Sequence, residues 1–301
     1  MPEPPYTIFD IQPEWVLEPE ALGSKEKFWY RAKDDEAEWL FKFPQPNTGQ
    51  HWAEKIAAEI AGCLDIHHAR VEFARFQDTQ GSASESFAGG GRDLYHGNQV
   101  LAGTVLGYDP HKSFRQADHM LSNIFSAIDA AFAEPENAHR VKIGLADYLV
   151  LDALIGNTDR HHENWGILLW QVGEDWEGVL APTFDHASSL GRELADLSPG
   201  KCRQRLLDEG RIGEYSEKAR GAIFWNNTDK YGLSPLELVR RAAALHPGLF
   251  KPALARLARL EREQIRGIID RVPADWMTSL AREFALELMC YNYKELEKIR
   301  L

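Results

Sequence analysis

The sequence predicts an α+β chain of two lobes, a small β-rich lobe followed by a larger, mainly helical one, and three observations carry that expectation. Short β-type runs separated by turn residues fill the first third and enclose one helical repeat. Three consecutive glycines, Gly89-Gly90-Gly91, follow them, and beyond the glycines apolar residues recur mainly at three-four spacing. The glycines divide residues 1–88 from residues 89–301. A chain of 301 residues is long for one compact core and comfortable for two lobes.

Trp15 to Leu17 and Lys27 to Arg31 read as strands on either side of Leu22-Gly23-Ser24-Lys25, and Glu38 to Phe43 is a third run ending at a proline. Asn47, Thr48 and Gly49 mark a turn. Trp52, Ile56, Ile60 and Leu64 then follow helical spacing, with an end expected between Gly62 and Asp65. Val71 to Phe76 and Ser82 to Phe87 complete five strands around the turn Gln80-Gly81. In the second part, helices are expected at Met120 to Phe132, Lys142 to Ile155, Pro235 to Ala244, Pro252 to Arg271 and Trp276 to Ile299. Two β-like runs, Trp165 to Trp170 and Val179 to Phe184, interrupt them around Gly173-Glu174-Asp175.

Charge and composition exclude several function classes. Lys and Arg number 34 against 46 Asp and Glu, a net charge of −12 that disfavours nucleic acid as a direct partner. Met1 to Phe9 has neither the basic start nor the apolar stretch of a signal peptide, and the longest apolar run, Tyr148 to Ile155, is broken by Asp152 and too short to span a bilayer. A cytoplasmic protein without a membrane span is expected. Cys63, Cys202 and Cys290 are too far apart for a thiolate cage and are read as small buried residues.

The chemistry is concentrated in Gly156-Asn157-Thr158-Asp159-Arg160-His161-His162-Glu163-Asn164, a polar loop directly after an apolar helix. Further on, the strand candidate Val179 to Phe184 delivers Asp185 and His186 into Ala187-Ser188-Ser189-Leu190-Gly191. A carboxylate beside a loop holding another carboxylate and an amide suits a hard cation such as Mg2+, which takes oxygen ligands and leaves room for phosphate and water. The spacing Asp159-x-x-x-x-Asn164 matches the catalytic loop of protein kinases, where the Asp accepts the substrate hydroxyl proton and the Asn holds metal.

Lys42, inside the apolar run Trp39 to Phe43, needs a partner for its charge, and Glu54 and Glu59 of the following helix are the available acids. Helical geometry does not choose between them. Gly23, Ser24 and Lys25 stand where a phosphate-covering loop would be, although neither G-x-G-x-x-G nor G-x-x-x-x-G-K-[ST] occurs. His161 and His162 raise a metallohydrolase alternative, but neither H-E-x-x-H nor a His-Asp dipeptide is present. His161 is instead expected to brace the catalytic loop and His162 to be peripheral. Arg256, Arg259, Arg262 and Arg266 read as one solvated face of a long helix, or as a dock for an acidic partner.

The segments around Asp159 to Asn164 and Ala181-Pro182-Thr183-Phe184-Asp185, with Trp39 to Pro44 and Ala53-Glu54-Lys55 upstream, resemble the HipA-like serine/threonine kinases over about Gly23 to Gly191. The D-R-H-x-x-N core is also similar to the phosphoinositide kinases. The resemblance implies a two-lobed protein-kinase-like fold, ATP and Mg2+ as cofactors and a Ser or Thr hydroxyl of a protein, the chain itself included, as acceptor. It implies Asp159 as catalytic base, Asn164 and Asp185 as Mg2+ ligands, and Lys42 on the phosphates. It makes Glu54 the partner of Lys42, and puts Glu85, Ser86 and Phe87 in the hinge that carries adenine. An antitoxin-like regulator is the partner it suggests, with the kinase core expected alone, lacking the N-terminal subdomain of full-length HipA toxins. A lipid or small-molecule kinase and a nucleotide-binding pseudokinase scaffold are the alternatives.

Overall fold

The computed structural model describes residues 3–19, 26–33, 35–112 and 115–300. Its first part consists of β1 (Ile8–Asp10), β2 (Val16–Pro19), β3 (Lys27–Tyr30), β4 (Trp39–Lys42), α1 (Gln50–Cys63), β5 (Val71–Phe76) and β6 (Thr79–Glu85). The strands form one sheet in the order β1-β5-β6-β4-β3-β2. All pairs are antiparallel except β1 with β5.

Alternation along the strands decides what each face carries. Phe28 and Tyr30 of β3, Trp39 and Phe41 of β4, and Ala74 and Ala83 of β5 and β6 bury one face as an aromatic cluster, with the Phe28 and Phe41 rings 5.2 Å apart. The opposite face carries Phe73, Ser82 and Lys42 in one row across three strands. There Phe73 joins Ile56 and Ile60 of α1 in the main core. Lys42 therefore leaves the sheet on the side where α1 packs, as the need of its charge for a partner on that helix requires.

The second part runs β7 (Asp93–His96), α2 (Gly97–Ala102), α3 (Leu121–Ala131), α4 (Pro135–Ile155), β8 (Gly166–Val172), β9 (Asp175–Leu180), α5 (Arg203–Asp208), α6 (Ile212–Glu217), α7 (Pro235–Leu245), α8 (Pro247–Arg256), α9 (Arg262–Asp270) and α10 (Ser279–Glu297). β7, β8 and β9 form a separate antiparallel sheet. Helix α4 is its axis, buried along nearly all of Leu145 to Ile155 and packed against α3, α7, α8 and α10.

Several expectations need correction. β1 and β7 are too short to show a period, so they escape a pattern search. α4 begins at Pro135 rather than Lys142, because proline is favoured in a first helical turn. The long helix expected from Pro252 to Arg271 is three pieces: α8, the 3-10 turn Leu257–Arg259, and α9. Leu260 is extended, and Glu261 starts α9 with a capping box to Gln264. Three of the four arginines are held by acids of the chain itself: Arg256 binds Asp147 and Asp65, Arg259 binds Asp65, and Arg262 binds Glu287. The strand expected at Val179 to Phe184 lies earlier, at β9, so Asp185 follows an irregular segment. Cys63 is exposed, unlike Cys202 and Cys290.

Candidate active site

Helix α4 ends in Gly156, whose left-handed φ of 68° lets its N–H return to the Asp152 carbonyl. The chain then turns into the polar loop 157–164. Asp152, a carboxylate at 3 % exposure in the most apolar stretch of the helix, organises that loop. Asn157 Nδ2 donates to its Oδ1 at 2.8 Å, and Arg160 grips both oxygens, Nη2 to Oδ1 and Nε to Oδ2, each at 2.8 Å. The remaining guanidinium donors go to the Asn164 carbonyl at 2.5 Å, the Phe184 carbonyl at 3.1 Å and Thr183 Oγ1 at 3.0 Å. Burial opposes the Arg160 charge, but the Asp152 carboxylate outweighs it and the pKa is raised. One buried cation thus ties the backbone at Asn164 to the backbone immediately before Asp185.

Asp159 is held at both of its peptide groups. Its N–H donates to Asn157 Oδ1 at 3.1 Å, and its carbonyl accepts from Asn164 Nδ2 at 2.7 Å. Its side chain accepts from Ser188 Oγ at 3.2 Å, at Oδ2. With Nδ2 of Asn164 committed to this bond, the amide oxygen is the atom Asn164 has to offer a cation.

Asp185 has a left-handed φ of 56°, a conformation that costs a non-glycine residue free energy and recurs at functional sites. Lys42 Nζ lies 3.6 Å from Asp185 Oδ1. Burial pulls the Lys42 ammonium down, yet Asp185 and Glu54 together outweigh it, so its pKa is raised and the side chain stays charged. The two acids of α1 are now distinguished: Glu54 is fully buried on the Lys42 side, whereas Glu59 pairs with Lys55 at 2.7 Å. His186, also buried, places Nδ1 3.8 Å from Glu54 Oε1, and Nε2 2.8 Å from Thr183 Oγ1. Thr183 Oγ1 thus receives Arg160 and also contacts the His186 imidazole, which links the guanidinium to the histidine beside Glu54. Burial, reinforced by Arg160, keeps this histidine neutral.

Glu85, Ser86 and Phe87 continue β6 toward the glycines, which all have positive φ. The Glu85 side chain is turned to Arg70, 3.3 Å away, and Ser86 N donates to Glu38 O at 2.8 Å. The Phe87 ring rests on Phe184, with centroids 5.4 Å apart, linking the segment after β6 to the residue before Asp185. His161 braces the loop by accepting from Glu163 N at 3.2 Å. His162 is not peripheral: it is 1 % exposed, 2.7 Å from the Tyr108 hydroxyl, and burial pushes its pKa down to about 4. The two histidines diverge, and among the described residues no three His, Cys, Asp or Glu side chains converge on a possible metal position. Gly23, Ser24 and Lys25 lie outside the described residues.

Sequence reasoning passed over Asp152, Arg160 and Thr183. A signal was available for Asp152, since a carboxylate within an apolar helix requires a partner and Arg160 lies in the loop that follows. Nothing comparable marks Thr183, whose hydroxyl matters only through its neighbours.

Residues 20–272 match the family model of the HipA-like C-terminal domain. A serine/threonine-protein kinase of Helicobacter pylori, CtkA, is 26 % identical over 168 residues, which cover 56 % of this chain and 48 % of that protein. The match therefore spans about half the length of that curated relative. Among solved structures, the H. pylori proinflammatory kinase CtkA superposes with a TM-score of 0.72 at 22 % identity, covering 89 % of this chain and 90 % of the other. HipA in a complex with HipB and operator DNA from Shewanella oneidensis gives 0.58 at 14 % identity, over 93 % of this chain and 64 % of that one. The α+β architecture described above is thus a kinase-like fold, and the extent of the family match makes the chain a member of the HipA-like C-terminal domain family.

Proposed function

We propose that the chain is a protein kinase that transfers the γ-phosphoryl group of ATP, with Mg2+, to a Ser or Thr hydroxyl. The observation that carries this reading is the clustering of Lys42, Glu54 and Asp185 on one side, with Arg160 binding the segments of Asn164 and Asp185 together on the other. Kinase activity in the matched relative supports it. In this reading residues 1–88 form the N-lobe and residues 89–301 the C-lobe, with Glu85 to Phe87 carrying adenine between them.

The donor set fits a hard cation. Asp185 offers carboxylate oxygens and Asn164 an amide oxygen, and two protein ligands suit Mg2+, which keeps water and phosphate in its remaining positions. When bound, the ion neutralises phosphate charge and holds the polyphosphate chain in place. Lys42, kept charged by its two carboxylate neighbours, adds a positive charge at the phosphates. Asp159 orients the acceptor hydroxyl and takes its proton as the oxygen–phosphorus bond forms and ADP leaves. Positioning and electrostatics supply the rate.

Two variants test the assignment. Asp185→Asn should weaken Mg2+-dependent ATP binding, read by calorimetry, while Asp159→Ala should bind ATP normally and lose roughly 10² to 10⁴ in transfer rate. Equal losses of binding in both would reverse the roles of the two carboxylates. A wild-type protein that binds ATP and phosphorylates neither itself nor any lysate protein would be a scaffold.

A further inference from the structure

The turn after Asp185 carries two contacts that the proposed chemistry does not use. Ser188 Oγ lies 3.2 Å from Asp159 Oδ2, and Arg192 Nη2 donates to the same Ser188 oxygen at 3.2 Å. A serine hydroxyl has one proton and two lone pairs. With the guanidinium on a lone pair, the proton is directed at Asp159. Arg192 also reaches the other side of the cleft: its Nη1 donates to Gln45 Oε1 at 3.3 Å, and its carbonyl accepts from Gly49 N at 2.8 Å. Gly49 is the residue that starts α1, the helix of Glu54.

The turn itself is fixed. Leu190 and Gly191 are consecutive left-handed residues, with φ of 56° and 68°. Leu190 N is bonded to Ile155 O at the end of α4, and Thr158 N of the catalytic loop to Ser188 O. Arg203 Nη2 holds Gly191 O at 2.9 Å, and a Cβ on Gly191 would come within 2.4 Å of the Phe284 ring. Ser188 and Arg192 are therefore presented from a rigid support, aimed at Asp159 in one direction and at the start of α1 in the other.

We infer that Ser188 and Arg192 are positioning residues for Asp159, a relay that occupies one oxygen of the catalytic carboxylate, leaves the other for the acceptor hydroxyl, and joins its orientation to the docking of α1. The inference rests on the kinase reading above. Without the Ser188 hydroxyl the carboxylate is free to rotate, so the chemical step loses rate. Lys42, Asn164 and Asp185 are untouched, so ATP affinity does not change.

The test measures ADP production from Mg2+-ATP with dephosphorylated casein as acceptor, in the full chain, with melting temperature as the folding control. Ser188→Ala should lower kcat roughly ten-fold, the size expected for a hydrogen bond to a charged group, with the KM for ATP changed less than about two-fold. Ser188→Thr should restore most of the loss. Arg192→Gln should lower kcat in the same sense, and the double variant Ser188→Ala/Arg192→Gln should be no slower than Ser188→Ala alone, because the two act in series. Multiplying losses in the double variant, or a Ser188→Ala enzyme with wild-type kcat, overturns the relay while Asp159-dependent turnover in the wild type leaves the kinase reading standing. Wild-type turnover equal to that of Asp159→Ala, with casein and with cell lysate as acceptor alike, overturns the kinase reading and the relay with it.

Discussion

Arg160 and Asp152 form a buried pair in which every guanidinium nitrogen has an acceptor, so removing one partner leaves a charge in the core. Arg160→Met should lower unfolding free energy by about 3–5 kcal/mol, measured by urea denaturation. Arg160→Lys keeps the charge but cannot reach acceptors on three segments, so it should fall between. The pair Asp152→Leu/Arg160→Met should regain stability relative to Arg160→Met without regaining transfer activity, because the loop loses its anchor in both. His119 gives a second prediction. It accepts from Trp165 Nε1 at Nε2 and faces Ala222 O from Nδ1, so its neutral form uses both nitrogens and protonation would set two N–H groups against each other. Burial holds its pKa at about 3, below the ordinary 6.5. The unfolded chain therefore binds the proton first as pH falls. The contribution is complete above 6.5 and is lost progressively as pH drops toward 3. Between about pH 6.5 and pH 4 the loss is on the order of 3 kcal/mol, and His51 and His162, both lowered to about 4, act in the same direction. Denaturation midpoints across that range should fall less steeply for His119→Gln than for the wild type.

At the scale of elements, α4 and its exit were legible because two strong signals coincide: an apolar helix and a glycine ahead of a polar run. The left-handed Gly156 sets the direction in which the polar loop 157–164 leaves the helix. Gly156→Ala should cost about 1–2 kcal/mol for the left-handed backbone, with Leu288 Cδ2 only 3.3 Å from the new Cβ. Gly156→Asn should cost less backbone strain than Gly156→Val, since asparagine tolerates this conformation and a β-branched residue does not. Thermal melts of the three variants would rank them. The break between α8 and α9 was not legible, because apolar three-four spacing runs through it. What stops the helix is the capping box at Glu261 and Gln264, together with ion pairs that draw Arg256 and Arg262 to different partners.

Over the whole molecule, the C-terminal helices return to the first sheet and clasp it. Trp276 packs its ring 4.8 Å from Phe73 of β5 and 5.4 Å from His51 of α1, and its carbonyl is 3.3 Å from His51 Nε2. Tyr6 N donates to Arg271 O, and Arg256 and Arg259 both reach Asp65 beyond the end of α1. These contacts lie between parts far apart in sequence, so they give the two parts one continuous core. Trp276→Ala should cost about 3–5 kcal/mol and still unfold in a single transition by circular dichroism and fluorescence. Two separate transitions would mean that the two parts are stabilised independently. Among the described residues, no helix is long and apolar enough to cross a membrane.

The order of β2, β3, β4, α1, β5 and β6, the glycines, and the longer helices beyond them was determined by the sequence alone, because periodicity and turn residues are local properties. So was family membership, because Asp159 to Asn164 and Asp185 lie in short contiguous motifs. Helical spacing leaves Glu54 and Glu59 equivalent and only the family resemblance singled out Glu54; the physical reason came with the fold, where the packing of α1 against β5 and β6 buries Glu54 and turns Glu59 to Lys55. The same holds for the work of Arg160, Ser188 and Arg192. Their partners lie on the end of α4, on the approach to Asp185 and before the start of α1, segments that meet only when the chain closes on itself.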